Sequence, residues 1–383
     1  MSENIYKNNY CQSDKSINIA DIVPIIPNII SNIPENVSNI PETVCVPPEV
    51  VSVSPEVVSV SPEVVSVSPE VVSVSPEVVC VSPEVVCMIP DILSVSESIK
   101  NNNYDTLVLS GGSINGIIFL GALQYCSDTF YLTDIVTYIG TSVGSMIGYL
   151  LAIGYTPIEI MVYIFINHVF DKIKQFDIVA AINGSGATSF SHIHEHLEKM
   201  TIEKIGKLIT LKDLYIQFGK KLICTTYNLT KDKAEYLSYE NYPDMPCLIA
   251  IRMSANLPLV FDRFKYLGSE YIDGAITDNF PISVAEEHGS KILGLYIKGK
   301  RSDVVKNKSE TGILEYIHRL MHIPIKQSVE FRMSLASEKC SLLCIETKTK
   351  YFFEFNISAV ERFEMFSDGY TEGKEFFEKK STL

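Results

Sequence analysis

The sequence lacks any apolar run long enough to cross a bilayer. Its longest, around Met146 to Ile158, is interrupted by Pro157 and followed by Glu159, well short of the roughly 20 residues a helical span requires. Positive charge is also scarce: 32 Lys and Arg stand against 46 Asp and Glu, for a net charge of −14. Nucleic-acid binding by counterion release needs a basic stripe, so that partner class is excluded. The acidic balance also argues against strong adsorption on anionic lipid and leaves a neutral or zwitterionic surface open. Nine cysteines are present, but not as ligand-like pairs of pairs: Cys340 and Cys344 lie four apart, and Cys80 and Cys87 share a repeat position. Reduced thiols of a cytosolic protein are expected. The opening MSENIYKNNYCQSDKS has no apolar signal core. The chain is therefore expected in the cytoplasm, with peripheral contact to a membrane. No calcium loop or cofactor motif is visible, and no metal or other cofactor is expected.

What is present begins with a repeat. Prolines recur every seven residues from Pro27 to Pro90, with Pro-Glu-Val-Val-Ser-Val-Ser as the cleanest unit. A proline in every second turn defeats a coiled coil, because each removes a donor and clashes with the preceding turn. Residues 1–103 are predicted to be a disordered or extended acidic arm. Its first 96 residues hold 12 acidic and 2 basic side chains and so carry −10 of the net charge. The arm shows no catalytic chemistry; its glutamate row offers a docking strip for a protein partner.

After Asn101–Asn103 the composition changes. Thr106-Leu107-Val108-Leu109 reads as a buried strand and runs into Ser110-Gly111-Gly112-Ser113-Ile114-Asn115-Gly116, then into an apolar helix over Ile117 to Cys126. A glycine-rich turn between strand and helix aims backbone amides at an anion, a phosphate or a transient oxyanion. It is a poor dinucleotide fingerprint, since Ser113 holds the third glycine position and no P-loop Lys-Ser/Thr pair follows. Next comes Tyr138-Ile139-Gly140-Thr141-Ser142-Val143-Gly144, a short β run, Gly-x-Ser-x-Gly and an apolar helix. That context suits a nucleophile elbow, with Gly140 and Gly144 allowing the tight turn.

A long apolar helical region is predicted from Ile147 to Phe170, and Asn183 to Ala187 reads as a hinge. His192 and His196, four apart, suit a polar helix start capped by Ser191 better than a metal site. Strands are predicted at Lys221 to Thr226 and Glu235 to Ser238, and a short helix at Pro246 to Ser254. A hairpin around Gly268 delivers Asp273-Gly274-Ala275 to a turn, where Asp278 reads as a solvated neighbour. Val284 to His288 is predicted helical, and Ile292 to Ile297 a strand. Lys298 to Lys308 is a basic linker or a patch for lipid head groups. A helix at Ile313 to Ala336, a strand at Leu342 to Ile345 and a helical hairpin complete the chain. Ser358 and Glu361 form a capping box at the start of that hairpin.

Taken in order, the glycine-rich turn, the Gly-x-Ser-x-Gly elbow and the later Asp-Gly-Ala turn resemble the patatin-like phospholipases, lipid acyl hydrolases with a Ser/Asp dyad. The segment Arg252-Met253-Ser254-Ala255-Asn256-Leu257-Pro258 and the run from Asp273 through Asn279 to Pro281 strengthen the resemblance, which extends from about Thr106 to about Pro281. It implies a three-layer α/β/α hydrolase with a mainly parallel central sheet. The catalytic domain would cover 104–287, and 288–383 would form an α/β extension packed on it. It implies Ser142 as nucleophile and Asp273 as its base, with Gly274 and Ala275 shaping the aspartate turn. The amides of Gly112 and Ser113 would form the oxyanion hole, with Gly111 and Gly116 allowing close approach. A lipid ester is the implied substrate. Two positions depart from the family pattern: Ser113 stands where glycine is usual and Asn115 where arginine or lysine is usual. Two alternatives stand beside this reading. One is a catalytically impaired lipid-binding or scaffolding member; the other is a Ser/His/Asp carboxylesterase using His288, His318 or His322.

Overall fold

Strands Thr106–Leu109 (β1) and Thr137–Thr141 (β2) are buried at every residue, as expected of inner parallel strands covered on both faces. In a computed structural model that describes residues 103–170, 186–299, 313–347 and 357–381, these two strands centre one mixed sheet. β1 lies between β2 and Ile292–Gly299 (β7), and β7 carries Cys340–Thr347 (β8), all parallel. On the other side β2 pairs in parallel with Lys221–Asn228 (β3). Three antiparallel strands complete the sheet: Lys233–Leu237 (β4) and Ser269–Asp273 (β6) on β3, and Phe264–Tyr266 (β5) on β6. A domain boundary at 287/288 falls between elements of this one sheet, because β7 pairs with β1.

Side chains alternate across a strand, and the core divides accordingly. Leu107, Leu109, Tyr138, Leu222 and Leu293 point into the larger cluster, whereas Val108, Ile139 and Ile223 point into the smaller one. Helices Gly116–Asp128 (α1) and Val143–Ala152 (α2) supply apolar side chains to the larger cluster. Pro157–Ile166 (α3), Ser191–Ile205 (α4), Leu211–Phe218 (α5) and Cys247–Ser254 (α6) add to it. Beneath the other face lie Ala275–Asp278 (α7), Ile282–His288 (α8) and Ile313–Ser334 (α9), with Ile282, Val284 and Val329 in the smaller cluster. Ala359–Ser381 (α10) packs along α1.

Three expectations need correction. The apolar region after the elbow is two helices bent by 117°, because Gly154 takes φ +98° and Thr156 with Glu159 forms a capping box that starts a new helix at Pro157. The Ser358–Glu361 capping box is present, but it opens one helix of 23 residues and not a hairpin. Nothing in that stretch supplies the turn a hairpin needs, and Gly369 and Gly373 serve instead as contact points on α1. Ser191 is the first residue of α4, and the Ser189 hydroxyl accepts its N–H at 3.1 Å. Among the described residues no single helix is long and apolar enough to cross a membrane. The repeat arm, most of the Asn183 hinge and most of the Lys298 to Lys308 segment lie outside the described residues.

Candidate active site

The carboxyl end of a parallel sheet is where loops gather into a site, and here the register shows how two distant residues meet. Thr141, the last residue of β2, pairs with Thr225 on β3. One step further, Thr226 pairs with Asp273 of β6. Since β4 occupies the other edge of β3 at both positions, β6 must run along the edge that β2 has just left. The chain quits β2 at Ser142, and β6 brings Asp273 to the adjoining place. The 130 residues between them bring the two side by side.

Ser142 adopts φ +57° and ψ −124°, a conformation costing about 1–3 kcal/mol for a non-glycine residue. The surroundings leave it no alternative. A Cβ on Gly140 would strike the backbone of Gly144 and Ser145, and one on Gly144 would strike the carbonyl oxygens of Leu109 and Ser110. The Ser142 N–H donates to Ser254 Oγ at 3.0 Å, and its carbonyl accepts from Ser145 Oγ at 2.6 Å. With the backbone held on both sides, the half-buried hydroxyl is free to meet Asp273.

Asp273 is buried. Its Oδ1 accepts the Ala275 N–H at 2.8 Å, and the Ser142 hydroxyl stands close enough to favour its charged form. Burial pushes the carboxyl up to about 7, against the opposing pull of the Ala275 N–H and the nearby Ser142 hydroxyl. The Asp273 N–H donates to the Asn256 carbonyl at 2.9 Å, and Gly274 N–H to the Ser254 carbonyl at 3.3 Å.

Opposite lies the glycine-rich turn. Gly111 donates its N–H to Asn279 O at 3.2 Å and accepts from Asn279 Nδ2 at 3.4 Å, so the residue of the Asn-x-Pro run ties the two turns together. Gly112 and Ser113 are half-buried, and their amides have no partner among the described residues. Ser113 holds φ +54°, the left-handed region that favours glycine and costs other residues about 1–2 kcal/mol. Gly116 begins α1 against Val143, and a Cβ there would meet that side chain. Asn115 is buried, and its Oδ1 accepts the Thr347 hydroxyl at 2.6 Å. This position is spent on joining the turn to β8.

Several residues of the sequence motifs act as structural partners of the site. Ser254 braces the elbow. Asn256 holds Asp273 through its carbonyl and Tyr271 O through Nδ2 at 2.8 Å. Arg252, buried, donates to Asn256 Oδ1 at 2.6 Å and lies 4.3 Å over the Phe190 ring. Asp278 is no solvated neighbour: it is 1% exposed and accepts from Tyr236 OH at 2.7 Å, and Arg332 of α9 approaches to 3.3 Å. Its place directly after a buried turn, with Thr141 Oγ1 bonded to its carbonyl at 3.0 Å, carries it inward.

His288 lies elsewhere. His288 Nδ1 is 3.1 Å from Lys221 Nζ, and Lys221 pairs with Thr137 at the start of β2. Ser142 stands five residues further on, ~17 Å along the strand, which removes His288 as its base. The His318 side chain lies outside the described residues, and His322 sits on α9. His196 Nδ1 meets Tyr163 OH at 3.2 Å, and His192 faces Glu195 at 3.7 Å.

Comparison with known proteins agrees with this geometry. The family model for patatin-like phospholipase matches residues 107–286. A probable lipid hydrolase of Invertebrate iridescent virus 6 is 39% identical over 204 residues, 51% of this chain and 68% of that protein. The chain belongs to the patatin-like phospholipase family. A second relative, an uncharacterized protein of Acanthamoeba polyphaga mimivirus, is 27% identical over 246 residues, 63% of this chain and 78% of that one. The crystal structure of VipD from Legionella pneumophila aligns at 15% identity and a TM-score of 0.46, covering 72% of this chain and 67% of that one. The patatin-like match ends at 286, so β7, β8, α9 and α10, which complete the sheet and its layers here, lie beyond it.

Proposed function

We propose that this chain is a lipid acyl hydrolase that cleaves phospholipid or lysophospholipid esters through a Ser142 acyl-enzyme, with Asp273 as general base. The observation that carries the reading is that the turn after β2 and the end of β6 set the Ser142 hydroxyl beside a buried carboxylate, which burial pushes up to about 7. A serine hydroxyl needs a base to become nucleophilic, and a carboxylate near neutrality is far better matched to that task than one near 4. Ser142 Oγ attacks the ester carbonyl as its proton passes to Asp273. The Gly112 and Ser113 amides receive the developing oxyanion, a contribution commonly worth roughly 3–4 kcal/mol per donor. Collapse expels the alcohol, which takes the proton from Asp273. Water, deprotonated by the same carboxylate, then releases the fatty acid. The name of the viral relative supports a lipid substrate. We place the enzyme in the cytoplasm, working at membrane surfaces.

The test is a fluorophosphonate probe together with a panel of lysophospholipids and phospholipids. Wild-type protein is expected to be labelled at Ser142 and to release fatty acid; Ser142→Ala should lose labelling and at least a thousandfold in rate. Fatty-acid release by Ser142→Ala at the wild-type rate would end the proposal.

A further inference from the structure

The β5–β6 hairpin carries a residue that stability alone does not account for. Tyr266 pairs with Ser269, so Leu267 and Gly268 form a two-residue loop, and both have positive φ, +45° and +79°. Such a loop matches the twist of its strands with two left-handed residues, and asparagine followed by glycine is the pair that fits. Leucine at the first position meets steric resistance. It also gains no burial in return, since Leu267 is 84% exposed.

Its direction is set by register. β6 runs antiparallel to β3, with Thr226 opposite Asp273 and Asn228 opposite Tyr271. Followed back from Asp273, β6 therefore passes the carboxyl end of β3, and its tip stands up to ~20 Å beyond the Asp273 carboxylate on the side of the sheet where Ser142 emerges. Two more leucines are exposed nearby in the fold. Leu229 leaves the end of β3 and bonds through its N–H to Glu270 O at 2.9 Å, and Leu259, with φ +68°, follows Asn256 by three residues. The exposed charge around them is mostly positive, with the acidic groups engaged by neighbours. Lys231, Lys233 and Lys265 are exposed, and Lys231 and Lys233 also approach Glu235 to 3.8 and 3.6 Å. Glu235 is buried, Glu270 is held by Arg263 at 2.6 Å, and Asp232 accepts from Tyr227. Apolar tips ringed by outward lysines suit a surface with hydrocarbon below a layer of phosphates.

We propose that the Leu267 hairpin tip, with Leu229 and Leu259, is the element by which this protein seats on a phospholipid surface. The proposal rests on the lipid hydrolysis proposed above for its choice of partner, and it names the surface that presents the substrate to Ser142. Phe130, also exposed and with φ +63°, follows α1 at the opposite end of the strands and serves as an internal control.

The experiment uses full-length Leu267→Asn, Leu267→Asp and Phe130→Asn. It measures co-sedimentation with phosphatidylcholine vesicles, hydrolysis of a soluble short-chain ester, and thermal unfolding. Leu267→Asn is expected to weaken vesicle binding at least about tenfold while raising Tm by about 2 °C, because asparagine fits the loop. Leu267→Asp should weaken binding further, Phe130→Asn should leave it within twofold, and soluble-ester hydrolysis should be unchanged throughout. Vesicle binding within twofold of wild type in both Leu267 variants would overturn the proposal. So would a shift in oligomeric state, seen without lipid by sedimentation velocity, that accompanied unaltered vesicle binding. If no form cleaves the soluble ester yet the Leu267 variants lose vesicle binding, the membrane contact stands and the proposed hydrolysis falls.

Discussion

Burial of Asp273 has two consequences that are measured separately. In the proposed role of base, the carboxylate would work only when ionised, so kcat/KM on a soluble ester should rise about tenfold per pH unit below about 7 and level off above it. An acid limb centred near 4 would show that the working base is an ordinary exposed carboxylate. The second consequence concerns stability. Between 3.8, the ordinary value, and about 7, the folded chain keeps a proton that the unfolded chain has lost. Stability from this group therefore falls as pH rises through that window, by up to about 4 kcal/mol once both states are ionised. Asp273→Asn should abolish hydrolysis. Its Tm should match wild type near pH 4 and exceed it at pH 8, as read by calorimetry. Ser113 is the other residue under tension, since it accepts a left-handed backbone where the family usually has glycine.

At the level of elements, the site is a junction of β2, β6 and the turn after β1, and its precision depends on how closely α2 approaches β1. Gly144 sets that distance, because a Cβ there would meet the carbonyl oxygens of Leu109 and Ser110. Gly144→Ala should destabilise the protein by about 1–3 kcal/mol in denaturant titration. It should also lower kcat roughly a hundredfold by displacing Ser142. Strands β1 and β2 and the two glycine turns were legible in the sequence, because apolar β-formers ending in glycine need only local interactions to declare themselves. Ser254, Asn256 and Asn279 stood in recognisable motifs, yet their tasks were not legible. Each works by bonding a residue remote in sequence: Ser142, Asp273 and Gly111 respectively. Asp278 misled for the same reason. A turn aspartate is usually solvated, and only the arrival of Tyr236 and Arg332 from other elements makes its burial tolerable.

For the molecule as a whole, the C-terminal helix is a structural layer of the same unit as the site. On α10 a Cβ at Gly369 would run into the Ile118 carbonyl, and Gly373 lies against Ala122, so backbone meets backbone along α1. Gly369→Val should push the helices apart and lower the free energy of a single cooperative unfolding transition by about 1–3 kcal/mol, monitored by circular dichroism. Two separate transitions would show instead that the C-terminal segment folds independently. By itself the sequence determined the α/β alternation, the two glycine turns and the family, all of which rest on local pattern and motif order. Tertiary structure alone decided that β6 takes the edge of β3 vacated by β2, that Asp273 is consequently buried and near neutral, and that His288 lies at the wrong end of the sheet. Those outcomes depend on strand register and desolvation, which arise only when segments far apart in the chain exclude water from one another.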